Sequence, residues 1–237
     1  MLSECVPLFS QMMALTLAMN NSLPRLLQLS SQNLPVGAYA YSQAQEWAIA
    51  QGAIKDGESA AEWIEGVFLF GIGQLDLPAL VQSYNAVIKK EWQHLSEIDC
   101  YVQASRESKE LLLEDIEMGR ALRRVLISMS VETGISKTPS FVTQYACAGV
   151  AWCISLEELL VGMAYNWLES QVMVATKSLP LGQSAAQSIL YRLCGSISEA
   201  VSSAIELSRD SDYGASLHGL AIMSSRHELM ESRLYRS

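Results

Sequence analysis

The stretch Ile189-Leu-Tyr-Arg-Leu-Cys-Gly-Ser-Ile-Ser-Glu-Ala-Val-Ser-Ser-Ala-Ile205 places apolar residues at 189, 190, 193, 197, 200, 201, 204 and 205. Spacings of three and four put these side chains on one face of a helix; a strand would repeat at two. The period recurs upstream. Leu80, Val81, Tyr84, Val87, Ile88 and Trp92 form one stripe, and Ile116, Gly119, Leu122, Val125, Leu126 and Met129 form another. No alternating strand pattern of comparable length occurs. Prolines stand at 7, 24, 35, 78, 139 and 180, which leaves long runs without a helix breaker. The reading is a single compact all-α domain of about eight to ten helices over residues 23–237, with no linker and no internal repeat. Residues 1–22, rich in Leu and Met, read as an apolar extension that is mobile until something covers it.

Start signals fit this period. Ser59 with Glu62, Ser155 with Glu158, and Ser42 with Gln45 have capping-box spacing. Thr138-Pro139 offers a cap followed by proline at the first helical position, and Pro78 and Pro180 can open helices in the same way.

Composition removes several classes of function. Half of the 237 residues are apolar and 17% are charged, enough apolar surface for a core and too much for a disordered chain. The net charge of −9 repels phosphate backbones and anionic bilayers, so neither nucleic acid nor a membrane surface is expected as a ligand. Two uncharged stretches pass a first membrane check. Residues 5–24 follow Glu4, without a basic lead or a cleavage site. Residues 138–156 are too short and too polar for a span, and read as a buried core helix. The expectation is a cytoplasmic protein. Five cysteines at 5, 100, 147, 153 and 194, with no CxxC, read as thiols in a reducing compartment.

The search for catalytic chemistry returns little. There is no phosphate-binding loop, and Gly71-Ile-Gly73 lacks the third glycine of a dinucleotide fingerprint, so it reads as close helix packing. There is no GxSxG. Cys147 and Cys153 sit in an uncharged stretch, where burial makes a thiol inert. His94, His218 and His227 do not have metal-ligand spacing, and no metal site or bound cofactor is expected. The mixed run Ser105 to Glu110, continued by Glu114, Asp115 and Glu117, reads as a solvated helix face. An all-α enzyme with a buried small-molecule pocket stays open as an alternative on the residues alone.

Two segments are distinctive. In Leu34-Pro-Val-Gly-Ala-Tyr-Ala-Tyr-Ser-Gln-Ala-Gln-Glu-Trp47, Pro35 and Gly37 make a turn that presents Tyr39 and Tyr41. A tyrosine suits a surface with one apolar and one wet side, so the turn reads equally as recognition surface or as packing. At the other end, Leu220, Met223, His227, Met230 and Leu234 repeat at three and four, one seam along a helix. Three arginines at 226, 233 and 236 face Glu228 and Glu231 there, a basic end on an acidic body.

Four stretches, in order, resemble the urease accessory protein UreF family, from about Leu23 to the last residue. They are Leu26-Leu-Gln-Leu-Ser-Ser through Pro35-Val-Gly-Ala-Tyr-Ala-Tyr-Ser with Glu46-Trp47; Ser105-Arg-Glu-Ser with Met118-Gly-Arg-Ala-Leu122; Lys177-Ser-Leu-Pro-Leu-Gly-Gln183 with Gln187; and Leu220-Ala-Ile-Met-Ser-Ser-Arg-His-Glu228 with Ser232-Arg-Leu-Tyr-Arg-Ser237. Where the family reads Gly-Leu-Glu this chain has Ala44-Gln45-Glu46, a change that on propensity alone suits a helix. Leu229-Met230-Glu231 departs from the family's Thr-Gln-Tyr.

The resemblance implies an all-helical homodimer that is not an enzyme. It implies a bridge between a UreD (UreH) accessory protein and the nickel-carrying GTPase UreG, in an assembly that inserts nickel into the urease apoprotein. By the same resemblance Tyr39 and Arg233 belong to the partner-binding region, with Glu46 and Lys177 toward the GTPase and its control. The apolar seam and basic character of the tail add Arg226, His227, Leu234 and Tyr235 to that region. A self-contained nickel metallochaperone is the rival reading, and it would need a Cys/His-rich tract. The tail is then expected to fray alone and to order on the UreD-type partner, Arg233 forming a fork-like contact with it.

Overall fold

A computed structural model describes residues 21–210 and 213–237, and the extension expected over residues 1–22 falls outside them except for its last two residues. Every described element is helical. The chain runs α1 (21–29), α2 (Gln45–Ala50), α3 (Gly57–Val67), α4 (Asp76–Lys89), α5 (Trp92–Ala104), α6 (Lys109–Ser128), α7 (Phe141–Ala151), α8 (Leu156–Ser178), α9 (Gln183–Cys194), α10 (Ile197–Asp210) and α11 (His218–His227). No strand occurs among the described residues, in agreement with the helical period of the sequence.

The core is built on α7. Every side chain from Val142 to Gly149 is buried, and α4, α5, α6 and α8 all pack against this short helix. The uncharged stretch 138–156 is thus shorter as a helix than its composition implies, because Ser140 caps it and Trp152 closes it. Thr138-Pro139 is not the cap. Asp99 on α5 takes that role from a distance, accepting the Ser140 amide at 2.9 Å, the Ser140 hydroxyl at 2.8 Å and the Thr143 hydroxyl at 2.6 Å. A buried helix start needs such a partner for its unpaired N–H groups. A glycine permits the close approach beside it: a Cβ at Gly119 would lie 2.1 Å from the Pro139 carbonyl oxygen.

The capping reading holds at α8, where Ser155 and Glu158 form a reciprocal box, and shifts at α3, where the box is Asp56 with Ser59. Pro78 stands in the first turn of α4, whereas Pro180 precedes α9 by three residues. Helices α3 and α4 join through a π-helical segment, Phe68–Ile72, and a short turn, residues 73–75, in one run from Gly57 to Lys89. That run is long and apolar enough to cross a membrane by length and composition. Two-thirds (67%) of its most apolar window is buried inside the protein, which is what a core helix requires. Gly71 and Gly73 belong to this junction and serve packing, as expected: a Cβ at Gly73 would meet the Leu69 carbonyl oxygen at 2.8 Å.

Candidate functional site

The helix expected to carry the C-terminal seam stops at His227, and residues 228–237 continue as turns and irregular chain. Met230 and Leu234 therefore do not extend the stripe of Leu220, Met223 and His227. Leu234 instead points to solvent, 78% exposed. Nor does the tail hang free. Its backbone amides at 234 and 235 donate to Glu46 at 2.8 and 3.1 Å, the Arg236 amide donates to the Ala40 carbonyl at 2.8 Å, and the Ser42 amide donates to the Ser237 carbonyl at 2.8 Å. The Ser42 hydroxyl also donates to that carbonyl. Tyr235 and Ser237 are buried.

Charged side chains clamp the tail. Glu46, in the first turn of α2, and Glu110, in the first turn of α6, flank the fully buried His227 ring, whose Nε2 lies 3.2 Å from Glu46 and Nδ1 2.8 Å from Glu110. Donating to both carboxylates requires hydrogen on both nitrogens. Arg233 donates to the other Glu110 oxygen at 2.6 Å. In the chain alone Arg233 thus makes a single bond to its own Glu110. The physical reason is that Glu110 lies buried on α6 and a buried carboxylate needs a cation. Glu46, expected at a GTPase-facing surface, is held beneath the tail with its side chain 11% exposed.

The acids of α6 are not a solvated face. Glu110, Glu114 and Asp115 are buried, and so is Asp76 at the start of α4. Arg106 donates to both Asp76 oxygens, at 3.1 and 2.6 Å, and to Asp115 at 3.2 Å. Burial pulls its guanidinium pKa down, but Asp76 and Asp115 outweigh burial and hold it above the ordinary value. Burial raises the Asp115 carboxyl, partly offset by Arg106. Burial raises Glu114 to about 7, against hydrogen bonds from Gln43 and Ser237 that lower it. Next to this network lies a cavity of about 110 Å³, lined among others by Asp76, Arg106, Asp115, Trp167, Leu217 and Leu220. Sequence reading missed this group. The signal was present: Glu110, Glu114 and Asp115 are spaced four and five, on the same helix face as Leu111, Leu122 and the rest of the core stripe.

The other expected site residues lie outside the clamp. Tyr39 occupies a 3₁₀ turn, Ala38–Ala40, after Gly37 at φ 79°, and is 59% exposed. Tyr41, two residues on, is buried with Arg236 against its hydroxyl. Arg226 is exposed on α11, and Lys177 is exposed near the end of α8. Ser178, the neighbour of Lys177, adjoins the Tyr235 hydroxyl. Ser42 does not box Gln45; α2 is entered through Gln43 and Ala44, at φ 49° and 64°. Ala44 is therefore in the left-handed region that favours glycine, and substitution of the family glycine strains the turn where propensity alone had suggested a better helix.

Cys147 meets expectation, since burial pushes its thiol up to about 12. Cys153 does not; it follows α7 and is exposed. Among the described residues no group of three or more His, Cys, Asp or Glu is arranged to hold a metal ion.

The family model for UreF matches residues 54–194. Three proteins named urease accessory protein UreF are similar along nearly the whole chain. That of Teredinibacter turnerae is 44% identical, over 92% of this chain and 100% of its own length. That of Hahella chejuensis is 39% identical, over 91% of this chain and 98% of its own. That of Chromohalobacter salexigens is 40% identical, over 91% and 95%.

Proposed function

The chain belongs to the UreF family of urease accessory proteins, and from that premise we propose that it is a non-catalytic scaffold joining a UreD (UreH) accessory protein to the GTPase UreG during nickel insertion into urease. Nickel is cargo in this reading. The working form is a homodimer in the cytoplasm.

One observation carries the reading. The Tyr39 turn and the C-terminal tail, remote in sequence, are bonded into one surface by the Ala40–Arg236 and Ser42–Ser237 contacts. That surface presents Tyr39, Leu229 and Leu234, which are 59%, 71% and 78% exposed. A contiguous exposed apolar patch rimmed by polar residues marks an interaction site, whereas singly scattered apolar residues do not. Tyr39, Arg226 and Leu234 are the contact residues; Lys177 is assigned to the same surface. Glu46, His227, Arg233 and the buried Tyr235 hold the tail in place and act through it.

Co-purification with UreD and UreG tests the proposal. Tyr39→Ala and Leu234→Ala should lose partner capture while keeping the melting temperature, and full capture by both variants would remove the surface from consideration. Equilibrium dialysis of the isolated chain with nickel and with GTP distinguishes the other classes: a scaffold binds GTP negligibly and nickel weakly, whereas tight nickel binding would favour a metallochaperone.

A further inference from the structure

The carboxylates under the tail are unequally compensated. Glu110 has Arg233 and His227; Glu46 has His227 and two backbone amides; Asp76 and Asp115 share Arg106. Among the described residues Glu114 accepts hydrogen bonds only from neutral donors. Gln43 Nε2 donates to one of its oxygens at 2.7 Å and the Ser237 hydroxyl to the other, also at 2.7 Å. Gln43 is itself fixed, since its amide oxygen accepts the Trp167 indole N–H at 3.1 Å. The second donor comes from the tail, and the tail is what covers Glu114.

Other charges surround it without bonding to it. Glu110, Asp115 and Glu117 share its helix, and Arg106 precedes it. Tyr41, Lys109, Glu228, Arg233 and Arg236 line the cleft of about 320 Å³ between α6 and the tail that Glu114 also borders. Glu46 and His227 stand behind Glu110.

Resting on the tail's place in the partner surface, we propose that closing the tail over α6 takes up a proton on Glu114, so that assembly of this surface is proton-linked. With the tail closed, burial holds the Glu114 carboxyl at about 7. With the tail open, water returns and the carboxyl falls toward its ordinary value near 4.5. A proton is therefore retained in the closed state. Closure is at full strength below the open-state value, weakens as pH rises from about 4.5 to about 7, and is level above. The diagnostic range is pH 5.5 to 8, and a Glu114 variant isolates this residue's share.

Hydrogen exchange of the isolated full-length chain supplies the test. Protection of the amides of Leu234, Tyr235 and Arg236, taken relative to buried amides of α4, should fall roughly tenfold or more across that range in the wild type. In Glu114→Gln the ratio should stay nearly level. A wild-type ratio independent of pH, or the same dependence in both proteins, overturns the proposal. If Glu114→Gln does not fold, a carboxyl-carbon NMR titration decides. Glu114 must titrate near neutrality in the full chain and in the ordinary carboxylate range in a chain lacking residues 232–237; a shared midpoint overturns it. Both measurements use the chain alone, so they can fail while partner capture succeeds, and the reverse.

Discussion

The core around α7 and the tail clamp meet on α6 and are built differently. Around α7, Leu80, Leu122, Tyr145 and Leu160 are fully buried and contacts are largely apolar. Between α6 and the tail, carboxylates, an imidazole, a guanidinium and backbone amides face one another. Apolar burial is non-directional and scales with area, so the first region tolerates small shifts and supplies most of the folding free energy. The clamp contributes less net energy, because desolvating its charges offsets their attraction, but it fixes a geometry. The difference separates a part that holds the protein folded from a part that holds one surface in register.

The largest effect tests the first half of that contrast. Leu80→Ala should cost about 2–5 kcal/mol and lower the melting temperature, with the tail amides losing protection only together with the core. In the clamp the singles should be milder and coupled. Glu46→Gln and His227→Ala should give a double-mutant coupling of about 0.5–3 kcal/mol in tail opening, read by hydrogen exchange, with core protection retained. Additive effects, or core loss equal to tail loss, would merge the two regions into one cooperative unit.

A finer test compares two fully buried alanines of the α2 segment. Ala48→Gly loses a buried methyl and helix propensity, about 1–2 kcal/mol together. Ala44→Gly loses the same methyl but relieves roughly 1–2 kcal/mol of left-handed strain, so its stability should change by less than about 1 kcal/mol. Thermal melts of the two variants show whether the strain is real. Smallest in stability is Tyr39→Ala, expected within about 0.5 kcal/mol of wild type while partner capture is lost. A drop of several kcal/mol would instead place the Tyr39 ring in the packed interior.

The two regions were unequally legible in the sequence. The apolar period at Leu80–Trp92 and Ile189–Ile205 announces helices because one face must be buried, and the Ser155–Glu158 box is local chemistry. The clamp is different. Glu46 and Glu110 each reach His227 across more than a hundred residues, and each alone resembles an ordinary helix-end charge. Glu114 and Asp115 look solvated until the tail and Arg106 cover them. The basic tail is ambiguous in sequence, because an arginine excess fits an external acid as well as the internal Glu110 that Arg233 meets. Ala44 shows the limit of propensity, which knows nothing of φ.

The bonds between Ser42 and Ser237 and between Glu46 and Leu234 join residues 195 and 188 apart. A chain made from its N-terminus at about 5–20 residues per second carries Glu46 for roughly ten to forty seconds before residue 234 exists. Throughout that interval the α2 turn has hydrated polar groups and a strained entry that nothing yet holds. Such high-separation contacts form late, after their loop-closure entropy has been met by the helices between them. The surface built on these bonds can therefore assemble only after residues 234–237 have been made and the intervening helices have folded.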